Sequence, residues 1–199
     1  DKGMTRRKNY TQYQNQDFER IRKSLEKNKE EFEKNKKEEE EKYKAMSSEE
    51  KKDVDDHKKA DEIKAKGNEE FKKKNFDEAI KLYQQAIDIY PKEMVYYLNS
   101  AKCYLEKKDY DKAIELCKHV CENSRDFTRR ATAFGIQGYA YRAQNKLDEA
   151  LKAFEDSQME KNDVRIKEAL KETTLLKKKQ EAEAYINPDI AEEENKKDS

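Results

Sequence analysis

One pattern recurs three times in the middle of this 199-residue chain, and it limits the possible folds more than any other feature. A small residue is followed nine positions later by a large apolar residue, then by an acidic residue and an alanine. The small residues are Gly67, Ala101 and Gly138, and the apolar residues nine positions on are Phe76, Tyr110 and Leu147. Small residues at a fixed place in a repeat indicate close approach of two helices.

The small residues lie 34 and 37 positions apart, and a period of 34 with helix–turn–helix content is typical of the tetratricopeptide repeat. We interpret the second spacing as one repeat plus a three-residue loop insertion near Asn123 and Ser124. The prediction is an all-α fold with three such repeats in a right-handed superhelix. Each helix pair exposes apolar surface that the next pair covers, so the last pair needs a capping helix.

These patterns divide the chain into four segments. Residues 1–58 are a charged linker, helical or disordered, and residues 59–161 hold the three repeats. Residues 162–186 form the capping helix, and residues 187–199 begin a linker to a following domain. The apolar face expected for the capping helix is Val164, Ile166, Leu170, Thr173 and Leu176.

Glu and Lys dominate residues 17–46, where many Glu-before-Lys pairs at i, i+4 favour a helix. Phe18, Ile21, Leu25 and Phe32 begin a heptad stripe on it, but asparagines occupy the next core positions. A two-stranded coiled coil is therefore conceivable only for the first turns, and a solvated spacer helix is the favoured interpretation. Ser47 and Glu50 form a capping-box pattern that starts a new helix.

Composition argues against two classes of protein, those that bind nucleic acid and those that span a membrane. The charge is balanced, 45 basic against 45 acidic residues, which argues against a nucleic-acid partner. No apolar run is long enough to cross a membrane. The first residue is Asp1 rather than Met, which we interpret as a fragment of a longer protein.

The cysteines and acidic residues do not indicate a disulfide framework, a metal site or a catalytic site. Three cysteines, Cys103, Cys117 and Cys121, form no disulfide framework, so we expect a reducing, cytoplasmic compartment. A metal site at the last two, with His119 between them, would lack further ligands, so small buried apolar residues are the better interpretation. No catalytic set, cofactor motif or phosphate loop is present, and an enzyme is not expected.

Polar residues on the first helices of the first two repeats predict a binding groove. Lys64 and Asn68 share one helix face, and Asn99 takes a related place in the second repeat. A lysine and two amides converging in a concave groove would suit a chain-terminal carboxylate. The alternative is that each is an ordinary surface residue.

Three stretches carry a resemblance to a known family: residues 64–68 (KAKGN), 98–101 (LNSA) and 184–189 (AYINPD). The first two look like the carboxylate clamp of co-chaperone tetratricopeptide domains. The third is similar to the segment joining the two central repeat domains of the Hop family, the stress-inducible heat-shock organising proteins. The resemblance covers about residues 60–194 and implies the first of those domains. It also implies a partner: the acidic C-terminal peptide, ending Glu-Glu-Val-Asp, of heat shock protein 90, with the heat shock protein 70 tail as a second candidate.

The third repeat departs from that family pattern. The family places a Lys and an Arg where this chain has Thr132 and Ile136. We expect Lys102, Arg129 and Arg142 to be the substitutes. Two hypotheses follow: an adaptor that binds an acidic peptide end through a partial clamp, or a scaffold that assembles with another protein through a more apolar groove around Ile136.

Overall fold

The computed structural model describes the backbone of residues 2–186 and the side chains of residues 17–185, and every element in that part is a helix. The chain divides into one unit up to Val54 and a second from Asp55 onward. The linker expected at 187–199 lies outside the described residues. The helices are α1 (Lys2–Ala45), α2 (Ser48–Lys72), α3 (Phe76–Ile89), α4 (Met94–Glu106), α5 (Tyr110–Asn123), α6 (Phe127–Ala143), α7 (Leu147–Glu160) and α8 (Val164–Ile186).

The first unit contains α1 and the start of α2. Within the described residues, the charged segment is helical over 2–45 and from residue 48 onward. The capping box is confirmed: the Glu50 amide donates to Ser47 Oγ at 3.2 Å, and the Ser47 amide donates to Glu50 Oε2 at 2.8 Å. That second bond, together with the Ser47 hydroxyl, lowers the pKa of Glu50. α2 then continues without a break into the second unit.

The second unit holds the predicted three helix pairs, α2 with α3, α4 with α5 and α6 with α7, followed by α8. Each pair is joined by a turn that contains one residue in the left-handed region: Lys74, Lys108 and Asn145, with φ of 63°, 63° and 60°. The left-handed residue reverses the chain just before the second helix begins. These residues repeat with the same 34- and 37-residue spacing as the small residues, so the backbone has the period that the sequence predicts.

The three-residue insertion is not in a loop, and this expectation was wrong. The connection after Asn123 is short, and α6 has 17 residues where α4 has 13. The Asp126 side chain accepts a hydrogen bond from the Arg129 amide and so caps α6 early. Because this cap starts the helix about one turn sooner, the extra residues become helix rather than loop.

Close contacts at the small residues hold the pairs together. A Cβ added at Gly67 would lie 2.7 Å from the Tyr83 ring, and one at Gly138 would overlap the Phe154 ring. Both rings are fully buried. Ala101 lies in a core cluster with Ala113 and other residues of α5. The first and second helices of each pair therefore touch where the sequence pattern predicts.

α8 covers the last pair, but its buried face differs from the predicted one. Ile166 and Leu170 pack against α7 as expected, and Thr173 is fully buried. Val164 and Leu176 are exposed. Val164 is two positions from Ile166, which places it across the helix, and Leu176 is one turn beyond the packed part. The sequence-based face omitted Ala169, which is buried on the α7 side.

Candidate functional site

Two cavities follow one another along the first helices of the three pairs. The asparagine cavity, of about 360 Å³, lies between α2 and α4; its lining residues are Ala65, Asn68, Glu69, Phe71, Lys72, Tyr83, Asn99 and Lys102. The isoleucine cavity, of about 400 Å³, lies between α4, α6 and the start of α8; its lining includes Lys102, Thr132, Gly135, Ile136, Tyr139, Lys161, Arg165 and Ile166. Lys102 lines both, so the two cavities adjoin at this residue, and we call the two together the groove.

The amide of Asn68 is oriented by its neighbours. Its Oδ1 accepts hydrogen bonds from the Tyr83 hydroxyl at 2.8 Å and from Asn99 Nδ2 at 3.2 Å. Burial raises the pKa of Tyr83, so the phenol stays protonated and keeps donating. With Oδ1 occupied in this way, Nδ2 of Asn68 remains as the donor, and it bonds to no described residue. The groove therefore presents an amide donor in a fixed orientation.

Lys102 is the cation at the centre of the groove. It lies on α4, one residue after buried Ala101, and its side chain is exposed. Among residues 17–185 no carboxylate lies within ion-pair distance of it. A lysine ammonium in this state is a point charge with three donors available for an anionic ligand.

Lys64 is already paired. Its Nζ lies 2.7 Å from Asp61 Oδ1, and the same oxygen accepts from the Tyr96 hydroxyl at 2.9 Å. Burial acts to raise the pKa of Asp61, but the hydrogen bonds from Lys64 and Tyr96 and the lysine charge outweigh it, so the pKa is lowered. Lys64 lies one turn before Asn68, outside the lining of both cavities. An incoming carboxylate would compete with Asp61 for it.

Arg129 and Arg142 hold helices together rather than line the groove. The Arg129 guanidinium lies 3.0 Å from Glu93, which also lies 3.8 Å from His57 Nε2. Arg142 pairs with Glu172 of α8 at 3.1 Å. Of the six residues predicted for the site, the structure thus brings Asn68, Asn99 and Lys102 together, and it places Lys64, Arg129 and Arg142 in ion pairs outside both cavities.

The third-repeat positions face the groove without charge. Thr132 lines the isoleucine cavity, and its hydroxyl donates to the Thr128 carbonyl at 2.9 Å. Ile136 is buried against the core cluster that includes Leu98 and Ala133, and it presents an edge to the cavity. This part of the wall is apolar.

Two cations of the isoleucine cavity were missed by the sequence reasoning. Lys161 follows α7, and Arg165 lies in the first turn of α8. Arg165 pairs with Asp163 at 3.0 Å, whereas Lys161 has no ion pair within the described part of the chain. Register within the repeats gave no signal for either residue, because both lie at the junction between the last repeat and the capping helix.

Residues 17–185 give no support for a metal site, a nucleophilic thiol or a membrane-spanning helix. No group of three or more metal-ligating side chains occurs in that part of the chain. Burial raises the pKa of Cys103 to about 12 and that of Cys121 to about 11. Neither thiol is therefore a ready nucleophile. None of the described helices is long and apolar enough to cross a membrane. The arrangement suits binding of an anionic, extended ligand.

Comparison with known proteins supports the fold, through one family model and one relative of similar sequence. Residues 70–133 match the family model described as tetratricopeptide repeat. The Hsp70-Hsp90 organising protein of Plasmodium falciparum is 39% identical over 111 residues, which is 54% of this chain and 20% of that protein. The chain therefore spans about a fifth of that relative's length.

Two solved structures are similar to the repeats. The TPR2AB domain of yeast Sti1 in complex with an HSP90 peptide has a TM-score of 0.63 and 34% identity, covering 68% of this chain and 54% of that one. The first TPR domain of Spaghetti (RPAP3), bound to the HSP90 peptide SRMEEVD, has a TM-score of 0.55 and 29% identity, covering 60% and 93%. The second unit thus has the fold of the tetratricopeptide-repeat domains to which it is similar, and residues 70–133 match the repeat itself.

Proposed function

We propose that this chain, a tetratricopeptide-repeat domain with relatives among the Hsp70-Hsp90 organising proteins, is a non-enzymatic adaptor that binds an acidic C-terminal peptide of a heat-shock protein. The tail of heat shock protein 90 is the first candidate, because two similar domains are solved with such peptides. The heat shock protein 70 tail is the second candidate. A cytoplasmic location is part of this proposal.

The observation that carries the proposal is the unpaired Lys102 beside the oriented amides of Asn68 and Asn99. A peptide carboxylate in the asparagine cavity would accept a hydrogen bond from Asn68 Nδ2 and pair with Lys102. Charge-assisted hydrogen bonds of this kind are the strong ones. Lys64 contributes a further charge one turn away, at the expense of its contact with Asp61.

The residues that precede the peptide's end would bind in the adjoining isoleucine cavity. Lys102 and Lys161 supply cations to it, while Ile136 and Ile166 supply apolar wall. We infer that the groove accepts an apolar side chain next to an acidic end. The alternative function, a scaffold that binds a less acidic partner, is favoured by one observation, the replacement of two family cations by Thr132 and Ile136.

Titration calorimetry with a short acidic peptide ending in a free carboxylate tests the proposal. Hydrogen bonds to charged groups contribute about 1.5–3 kcal/mol each, so Asn68→Ala and Lys102→Ala should each weaken binding about tenfold or more. Lys64→Ala should cost less, since its ammonium must first leave Asp61.

Lys118→Ala is the matched control, because it removes the same charge from an exposed position on α5 outside both cavities. Equal affinity for wild type, Asn68→Ala and Lys102→Ala, with folding intact, would reject this groove as the peptide site. The double change Thr132→Lys with Ile136→Arg distinguishes the two functions. Stronger binding of the acidic peptide supports the adaptor. Weaker binding with an unchanged melting temperature, together with unaffected binding by Lys102→Ala, supports the less acidic partner.

A further inference from the structure

An exposed apolar stripe on α1 takes no part in the groove. Phe18, Ile21, Leu25 and Phe32 have exposed fractions of 69%, 56%, 64% and 69%. They occur at intervals of three, four and seven residues, which are the a and d positions of a heptad. Four large side chains on one face of a helix, each more than half exposed, indicate an interaction surface.

The charges beside the stripe follow the same heptad. On one flank, position g holds Asp17, Ser24, Glu31 and Glu38; on the other, position e holds Arg22, Lys29, Lys36 and Tyr43. One flank thus carries no cation, and the other carries no anion. A solvated spacer helix has no need of this segregation, because pairs within a helix are made at i, i+3 and i, i+4 wherever they fall.

The segregation identifies the partner and its direction. In a parallel two-stranded coiled coil in register, each g residue faces the e residue five positions on in the partner strand. Asp17 would then face Arg22, and Glu31 would face Lys36. An antiparallel pair would instead place e against e and g against g, so cations would face cations. Only the parallel arrangement of identical strands is complementary.

We propose that residues 17–38 are a self-association surface, through which two copies of this chain form a parallel, in-register coiled coil. The apolar residues at a and d form the seam. Asn28 and Asn35 occupy the other two d positions, where polar residues lower the stability of the seam. With about three heptads and two asparagines in the seam, the association is weak and depends on protein concentration.

Sedimentation equilibrium of the full chain over a range of concentrations measures this association. Glu31→Lys places like charges opposite each other twice per dimer, and so should weaken dimerisation about tenfold. The reciprocal variant Lys36→Glu should do the same, and the two changes combined should restore wild-type association. Glu30→Lys makes the same charge change at position f, on the outer face, and should leave the dissociation constant unchanged.

Disulfide cross-linking determines whether the two helices of the dimer are parallel. Asn35→Cys, at a d position near the end of the segment, brings two thiols together in a parallel, in-register dimer, so it should give a covalent dimer on oxidation. An antiparallel dimer would place position 35 opposite Phe18, far from the other thiol. Glu30→Cys should not, and wild type measures the background from Cys121. Circular dichroism checks that each variant keeps its helix content.

Each outcome decides the proposal. Association that responds to the charge swaps, together with cross-linking at position 35, supports it. A chain that stays monomeric at all concentrations overturns it, and so does a dimer unaffected by Glu31→Lys, since another surface or partner would then be at work. Cross-linking through Glu30→Cys but not through Asn35→Cys would also overturn it.

Discussion

Two glycines lie three residues apart on α6, and comparing alanine substitutions at the two positions tests which of them packs against α7. A Cβ at Gly138 would overlap the ring of Phe154, a fully buried residue of α7. The nearest atom to a Cβ at Gly135 would be the end of the Ile166 side chain, with Cδ1 at 3.0 Å, and the Ser157 hydroxyl at 3.8 Å would be in ordinary contact. We therefore compare Gly138→Ala with Gly135→Ala.

The expected difference follows from two opposing free energies. Replacing glycine by alanine inside a helix stabilises by about 1 kcal/mol, and this gain is common to both positions. Overpacking a core costs about 1–3 kcal/mol, and it applies at Gly138, because the Phe154 ring cannot move aside without displacing its neighbours. At Gly135 the terminal methyl of Ile166 can shift at little cost. Gly138→Ala should therefore be less stable than Gly135→Ala by about 1–3 kcal/mol.

Differential scanning calorimetry of the full chain measures this difference. For a chain of this size, 1 kcal/mol corresponds to about 2–4 °C, so the two midpoints should differ by roughly 2–12 °C. Gly135→Ala should melt at or above the wild-type temperature. If Gly138→Ala melts at the same temperature as Gly135→Ala, or higher, the helices of the third pair do not meet at Gly138. The positions assigned to Thr132 and Ile136 would then be wrong as well.

Two further predictions follow from ionisable groups. Burial raises the pKa of Cys121 to about 11 and that of Cys103 to about 12. At mildly alkaline pH a thiol reagent should therefore label these cysteines slowly in the native chain and fully in the urea-unfolded chain. Rapid labelling of both cysteines in the native chain would contradict the packing. The pKa of Asp61 is lowered from its ordinary value of 3.8, so its contribution to stability is present above that pH and is lost as the pH falls below it. Asp61→Asn should therefore flatten the acid side of the melting-temperature profile, and an unchanged profile would show that the Lys64 contact is not formed in solution.

The helix pairs were predictable because their signal is local and periodic. Gly67, Ala101 and Gly138 mark where helices cross, and a fixed interval between such residues leaves few folds. The extra turn of α6 was not predictable from spacing alone. A spacing of 37 fits a longer loop or a longer helix equally well, and only the cap at Asp126 decides between them.

The candidate site was predictable in part, for a related reason. Asn68, Asn99 and Lys102 come together because each has a fixed place relative to a small residue of its own repeat. The pairing of Arg129 with Glu93, 36 residues away, depends on how neighbouring repeats stack, and no local pattern encodes it. Lys161 follows the last repeat, and it lines the isoleucine cavity together with Arg165 and Ile166 of α8, which no pattern within the repeats encodes.

The most direct test of the central claim compares one acidic peptide with a free C-terminal carboxylate against the same peptide with an amidated end. In our account, the terminal carboxylate is held by Asn68 and Lys102. Amidation should therefore weaken binding about tenfold or more in calorimetric titration, and this penalty should shrink in Lys102→Ala. If the two peptides bind wild type equally well, the groove does not recognise a chain-terminal carboxylate, and the account of this site is wrong.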